Sequence, residues 1–180
     1  MKSFTSDLSK ICFFLLIGLT SLSVNAQEVT WLSWDEAAEL ASTDKNPKKI
    51  FVDVYTDWCG WCKKMDKDTF QNEKIAEYVN ENFYAVKFNA EQKDSIVFQG
   101  HTFKFVAQGK RGYHELAAAL LNGKMSYPHM VYLDEELKMI QPIPGYMAPA
   151  QFEEVIKFIG SDSYKKTPFE DYKKTFVSEL

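Results

Sequence analysis

The stretch that most limits the fold runs from Ile50 to Tyr55, IFVDVY, and leads through Thr56-Asp57-Trp58 into Cys59-Gly60-Trp61-Cys62. An apolar run broken only by Asp53 predicts a strand buried on both faces, the condition of a parallel sheet lying under helices. The segment that follows favours helix and opens on the two cysteines. Cys59 is thereby placed at a helix N-terminus, where unpaired N–H groups and the helix dipole favour a thiolate. Cys62 lies one turn further on, close enough for a disulfide with Cys59. This spacing points to thiol–disulfide exchange. The alternative is a structural staple, but a bridge closing so few residues removes little entropy from the unfolded chain.

Redox context depends on the third cysteine and on the N-terminus. Lys2 and Lys10 precede an apolar run from Ile11 to Leu19, and Val24-Asn25-Ala26 supplies small residues where a signal peptidase cuts. The run falls short of the roughly 20 apolar residues that span a bilayer. Residues 1–26 therefore read as a signal peptide, with an uncleaved anchor as the alternative. Its removal takes Cys12 away and leaves Cys59 and Cys62 as the only thiols of an exported, periplasmic chain that does not span the membrane. Residues 27–180 then form one domain, for which 46% hydrophobic and 15% aromatic residues provide an ample core. A net charge of −4 argues against nucleic acid as a partner.

Ser33 with Glu36 makes a capping box, and Ala37, Ala38, Leu40 and Ala41 mark the apolar side of a first helix. After the cysteines, Asn72 caps a helix with Ile75, Tyr78 and Val79 on one face, and Phe83–Phe88 follows as a strand. Strand, helix, strand in this order implies parallel pairing. Residues 91–112 read as an insertion, with a hairpin around Gln99-Gly100 and a solvated loop Gly109-Lys110-Arg111-Gly112. Tyr113, Leu116, Ala117, Leu120 and Leu121 form a helical stripe. Pro128 stands where His129–Leu133 begins, a position at which a strand tolerates proline. Leu137–Gln141 is its antiparallel partner. Pro149 opens a helix with Phe152, Val155, Ile156 and Ile159 inward and Gly160 past its end. A capping box at Thr167–Glu170 announces a C-terminal helix within residues 161–180.

The block from Asp53 to Phe70 resembles the thioredoxin superfamily, most closely the C-terminal thioredoxin-like domain of the DsbD thiol:disulfide interchange proteins. Matching positions are Asp53 six before the first cysteine, Tyr55, Asp57-Trp58-Cys59, Cys62-Lys63, Asp66 seven after Cys59, and Thr69-Phe70. Gly60-Trp61 departs from the family's usual middle dipeptides. The resemblance implies an α/β thioredoxin fold, a central mixed sheet flanked by helices, here with an inserted hairpin region and an extra C-terminal helix. It also implies that Pro128 matches the family's cis-proline opposite the cysteines.

The expected function is protein-disulfide reduction, with no cofactor beyond the sulfurs. Cys59 attacks, Cys62 resolves, and Asp53 is the base, its pKa raised by burial. Asp66 would add negative charge near the pair. Trp58, Trp61, Tyr127 and Pro128 would contact disulfide-bearing protein substrates, and a reducing thiol donor in the membrane or envelope would restore the dithiol. Two other readings stay open. One is a zinc or copper module using Cys59, Cys62 and His129. The other is a non-catalytic adaptor working through its hairpin and C-terminal helix.

Overall fold

A computed structural model describes residues 27–180; the signal peptide expected over residues 1–26 lies outside the described residues. Fifteen regular elements follow in order among the described residues: β1 (Trp31–Leu32), α1 (Trp34–Thr43), β2 (Lys49–Tyr55), α2 (Gly60–Met65), α3 (Glu73–Asn82), β3 (Phe83–Asn89), β4 (Ile96–Phe98), β5 (His101–Phe103), β6 (Phe105–Gln108), β7 (Arg111–His114), α4 (Glu115–Leu120), β8 (His129–Leu133), β9 (Met139–Pro144), α5 (Pro149–Gly160) and α6 (Phe169–Thr175). Five strands make one mixed sheet in the order β1-β3-β2-β8-β9. β3 runs parallel to β1 and β2, while β8 is antiparallel to β2 and to β9.

The strand pleat sorts β2 between two cores. Ile50, Val52 and Val54 face a layer with Trp34, Ala37 and Leu116, whereas Phe51 faces α3 and α5 among Phe70, Ile75, Phe152 and Ile156. On that second side Phe51 stacks on Tyr132 with ring centroids 5.5 Å apart and meets Phe152 at 5.4 Å. Burying a side chain such as Phe152 contributes about 1.5–3 kcal/mol. Asp53 follows Phe51 by two residues and so shares its face. A carboxylate thus enters the apolar layer under α2.

The ends of the elements follow local chemistry. Ser33 and Glu36 form the expected capping box of α1, and the Asn72 side chain accepts from the Lys74 and Ile75 N–H groups to start α3. α5 begins with Pro149 in its first turn, where the missing N–H costs no bond. β9 is one of the sheet's two outer strands and contains Pro142 and Pro144.

Three sequence expectations need correction. First, residues 91–112 hold more than one hairpin and a loop. β4–β5 turns at Gln99-Gly100, both with positive φ, which suits Gly100. β6–β7 is a second hairpin, so Tyr113 belongs to a strand and Arg111 opens that strand. Tyr113 stands three residues before Leu116, a spacing that mimics a helical stripe. The helix is instead capped by His114, whose Nδ1 accepts from the Leu116 N–H. Second, the Thr167 capping box does not form, because the Thr167 N–H bonds the Ser163 carbonyl and α6 starts one residue later with Pro168 as its cap. Third, Gly160 lies inside α5, where its lack of a side chain admits the Tyr78 hydroxyl; a Cβ there would stand 2.5 Å from it.

Gly112 has a stricter requirement. A Cβ would approach the Phe105 ring to 2.2 Å and the Val106 carbonyl to 2.4 Å. Gly112→Ala is expected to cost about 1–3 kcal/mol, as overpacking does, and to raise amide exchange in β6–β7 ahead of the central sheet. Unchanged exchange in those strands would contradict this packing. The C-terminal segment packs on the domain: Phe158 of α5 meets Phe169 and Tyr172 of α6 at 5.1 and 5.0 Å. No helix among the described residues is long and apolar enough to cross a membrane.

Candidate active site

β2 ends at Tyr55, and Thr56-Asp57-Trp58 turns the chain into α2, with the Cys59 N–H bonded to the Thr56 carbonyl at 3.0 Å. Cys59 is the N-cap of α2 and Cys62 sits inside its first turn. The two sulfurs form a disulfide across 5.3 Å between Cα atoms. The Cys62 N–H donates to Cys59 Sγ at 3.0 Å, so a helix-end donor points at the first sulfur. Both cysteines are buried, Cys59 at 5% exposure and Cys62 at 2%.

Register supplies the remaining walls. His129 pairs with Val54, which sets Pro128 beside the end of β2 from which the cysteine turn departs. The Tyr127–Pro128 peptide is cis, and the Pro128 carbonyl accepts from the Gly145 N–H at 2.9 Å. Trp58 and Trp61 stay open to solvent at 51% and 59% exposure. Trp58 meets partly buried Tyr127 edge-on with centroids 5.9 Å apart, and Trp61 meets Tyr146 at 5.4 Å. One aromatic pair therefore stands beside each cysteine in sequence.

On β2, the strand that leads to the cysteine turn, Asp53 is fully buried, and burial pushes its carboxyl up to about 6 although the Lys87 ammonium pulls it down. Lys87 faces Asp53 in the β2–β3 register and approaches its Oδ2 to 2.6 Å, leaving the buried Oδ1 without a protein partner. Burial opposes the charge on Lys87, but its ion pairs with Asp53 and Asp66 outweigh that and raise its pKa. The Lys87 ammonium also lies 4.9 Å from the Trp31 ring centre and 5.1 Å from that of Tyr55.

Asp66 therefore stands differently from expectation. The helix does not continue evenly to Phe70, because Asp66–Phe70 forms a π-helical turn anchored by the Thr69 hydroxyl on the Met147 carbonyl at 2.7 Å. From that turn Asp66 pairs with Lys87. A cation thus lies between the two acids, and their charge does not act on the sulfurs unopposed.

Further residues of the rim went unread in the sequence. Glu91 Oε1 accepts from the Trp58 indole N–H at 3.1 Å, and the Arg111 guanidinium lies 4.4 Å above the Trp58 ring. The expected solvated loop at Lys110-Arg111 is an exposed hairpin turn, and Arg111, which opens β7, also reaches over Trp58. A lone lysine among the apolar residues of Tyr84–Phe88 was a usable signal for Lys87; for Arg111 the sequence held none. His129 is buried with Nδ1 donating to the Ser126 carbonyl at 3.3 Å, and burial lowers its pKa. Among the described residues no three His, Cys, Asp or Glu side chains gather as a metal site.

A buried strand delivering a disulfide-linked cysteine pair to a helix end, beside Pro128 at the start of β8, is the arrangement of a thioredoxin fold. The thioredoxin-like domain family model matches residues 35–160, and the chain belongs to that family. It is 32% identical over 85 residues to the uncharacterized protein B0495.5 of Caenorhabditis elegans, covering 47% of this chain and only 12% of that relative. It is 24% identical over 117 residues to the disulfide bond reductase DsbH of Chlamydia pneumoniae, covering 65% and 63% of the two chains. A thioredoxin-fold protein from Helicobacter pylori superposes with a TM-score of 0.54 at 26% identity, over 71% of this chain and 78% of that one.

Proposed function

We propose that this chain is an exported thiol:disulfide oxidoreductase that reduces protein disulfides through a Cys59/Cys62 cycle. The carrying observation is the Cys59–Cys62 disulfide at a helix N-terminus, with Cys59 as the N-cap residue. In the dithiol form the Cys62 N–H that points at Cys59 Sγ steadies the Cys59 thiolate. The thiolate attacks one sulfur of a client disulfide, the client S–S bond breaks, and the first client thiolate leaves with a proton from solvent. Cys62 then gives its proton to Asp53, directly or through water, and attacks Cys59 Sγ. The mixed disulfide breaks, the second client thiolate departs, and the two electrons of the dithiol now reside in the client.

A carboxyl at about 6 is well matched to taking a thiol proton near neutrality and releasing it afterwards. Trp58, Trp61, Tyr127 and Pro128 would line the client's path, and backbone groups of Tyr127 would pair with an extended segment. A reducing direction is supported by the residues of α2 itself. Gly60-Trp61 brings no cation between the cysteines, and Lys64 is committed to Asp68. The likeness to a relative named as a disulfide bond reductase agrees. Export rests on the signal-peptide pattern of residues 1–26, with residues 27–180 as one domain carrying an insertion over 91–112 and a C-terminal extension over 161–180. A reducing thiol donor of the envelope would return the disulfide to dithiol.

Cys62→Ser tests the cycle. The first attack is retained and resolution is lost, so covalent mixed disulfides with clients accumulate and run as higher-mass bands that collapse under reductant. Clients recovered with their second cysteine reduced mark a reductase. An empty trap in an oxidising compartment counts against the proposal and favours an adaptor.

A further inference from the structure

We propose that the β6–β7 hairpin forms one wall of the client groove, and that Arg111 makes the site favour cysteine-bearing segments with a carboxylate side chain beside the cysteine. The inference rests on the disulfide-exchange reading above and specifies its client class.

Arg111 is held by packing rather than by a counter-ion. Its guanidinium carbon lies over the Trp58 ring, 4.4 Å from the ring centre, and among the described residues no carboxylate comes within 4.0 Å of it. Arg111 is exposed, so the N–H donors of its guanidinium are open to a ligand, and a guanidinium matches a carboxylate in two-pronged geometry. Trp58 is the residue before Cys59 in the chain, so the aromatic ring that Arg111 covers belongs to the turn that leads into the cysteine pair. Tyr127 closes the same corner from the proline side.

The hairpin is placed firmly enough to define a wall. The His114 N–H donates to the Ala90 carbonyl at 2.7 Å, the buried His114 ring donates through Nε2 to the Asp94 carbonyl at 3.1 Å, and Gly112 lets Phe105 lie against the opposite strand. Charge points the same way. Lys110 precedes Arg111 in the hairpin turn and Lys63 follows Cys62 on α2, both exposed, within a chain whose net charge is −4. Two acids share the rim. Glu91 is occupied by the Trp58 indole, and exposed Asp57 opposes the preference and limits its size. A cationic corner on an acidic protein is complementary to an acidic segment.

The test uses the full chain kept reduced by dithiothreitol, with two disulfide-closed peptides that differ only in Glu against Gln next to the attacked cysteine. At low salt the Glu peptide is expected to show about threefold higher kcat/KM, the scale of one exposed ion pair. The ratio should approach one in about 1 M salt. Arg111→Gln abolishes the preference, Arg111→Glu inverts it, and Arg111→Lys retains part of it. Equal rates for the two peptides in the parent chain overturn the inference and leave the reductase reading standing. So does an Arg111→Gln ratio equal to the parent's, which would make Arg111 only a prop for Trp58. Reduction of neither peptide overturns both.

Discussion

Cys59→Ser is expected to abolish disulfide reduction, lowering dithiothreitol-driven insulin reduction by at least about 10³-fold to the background of the reductant alone. A serine hydroxyl at the N-cap of α2 accepts the same N–H as the sulfur, so the helix start survives while the nucleophile is lost. The expected pattern separates the two cysteines: Cys59→Ser forms no adduct with clients, whereas Cys62→Ser forms one and stalls. An adaptor predicts instead that both variants retain their biological role. Turnover by Cys59→Ser above background would remove the Cys59 sulfur from the mechanism.

Asp53→Asn is expected to divide stability from activity. Burial raises the folded-state pKa of Asp53 from 3.8 to about 6, so the native chain holds this proton more tightly than the unfolded chain. The associated stability is fully present below 3.8 and is lost as pH rises through about 6, which leaves the whole penalty in force at pH 7. Asparagine removes that penalty, and Lys87 remains paired with Asp66. The variant should therefore unfold at higher denaturant concentration at pH 7, by up to roughly 3 kcal/mol, with the gain vanishing toward pH 4. Its resolving step should slow by about 10²-fold, because no carboxylate receives the Cys62 proton. Denaturant unfolding at the two pH values and single-turnover release of a trapped client measure the two effects. A variant both less stable at pH 7 and fully active would show that Asp53 serves only to hold Lys87.

Much of this arrangement could be read from the sequence where local chemistry decides the outcome. The run Ile50–Tyr55 had only one environment in which so many apolar residues could lie, and the cysteines at its exit fixed the helix start. Ser33, Asn72 and Pro149 named their helices because caps act within one turn. Pairings that depend on register were hidden. Lys87 faces Asp53 only because β2 and β3 align as they do, and that alignment leaves no mark in either segment alone. The β6–β7 hairpin was obscured by a glycine within a strand, which lowers strand propensity, and by a histidine cap outside the usual set. The π turn at Asp66–Phe70 arises from a tertiary bond to Met147, so a helical pattern could not announce it.

The two margins of the central sheet are dissimilar but have one effect. β1 is only two residues long, and β9 carries Pro142 and Pro144. Neither offers a continuous row of donors on which a foreign strand could grow. If the proposed reductase role holds, the protein meets chains with loosened, sticky backbones, and blunt borders would keep it from seeding their coalescence.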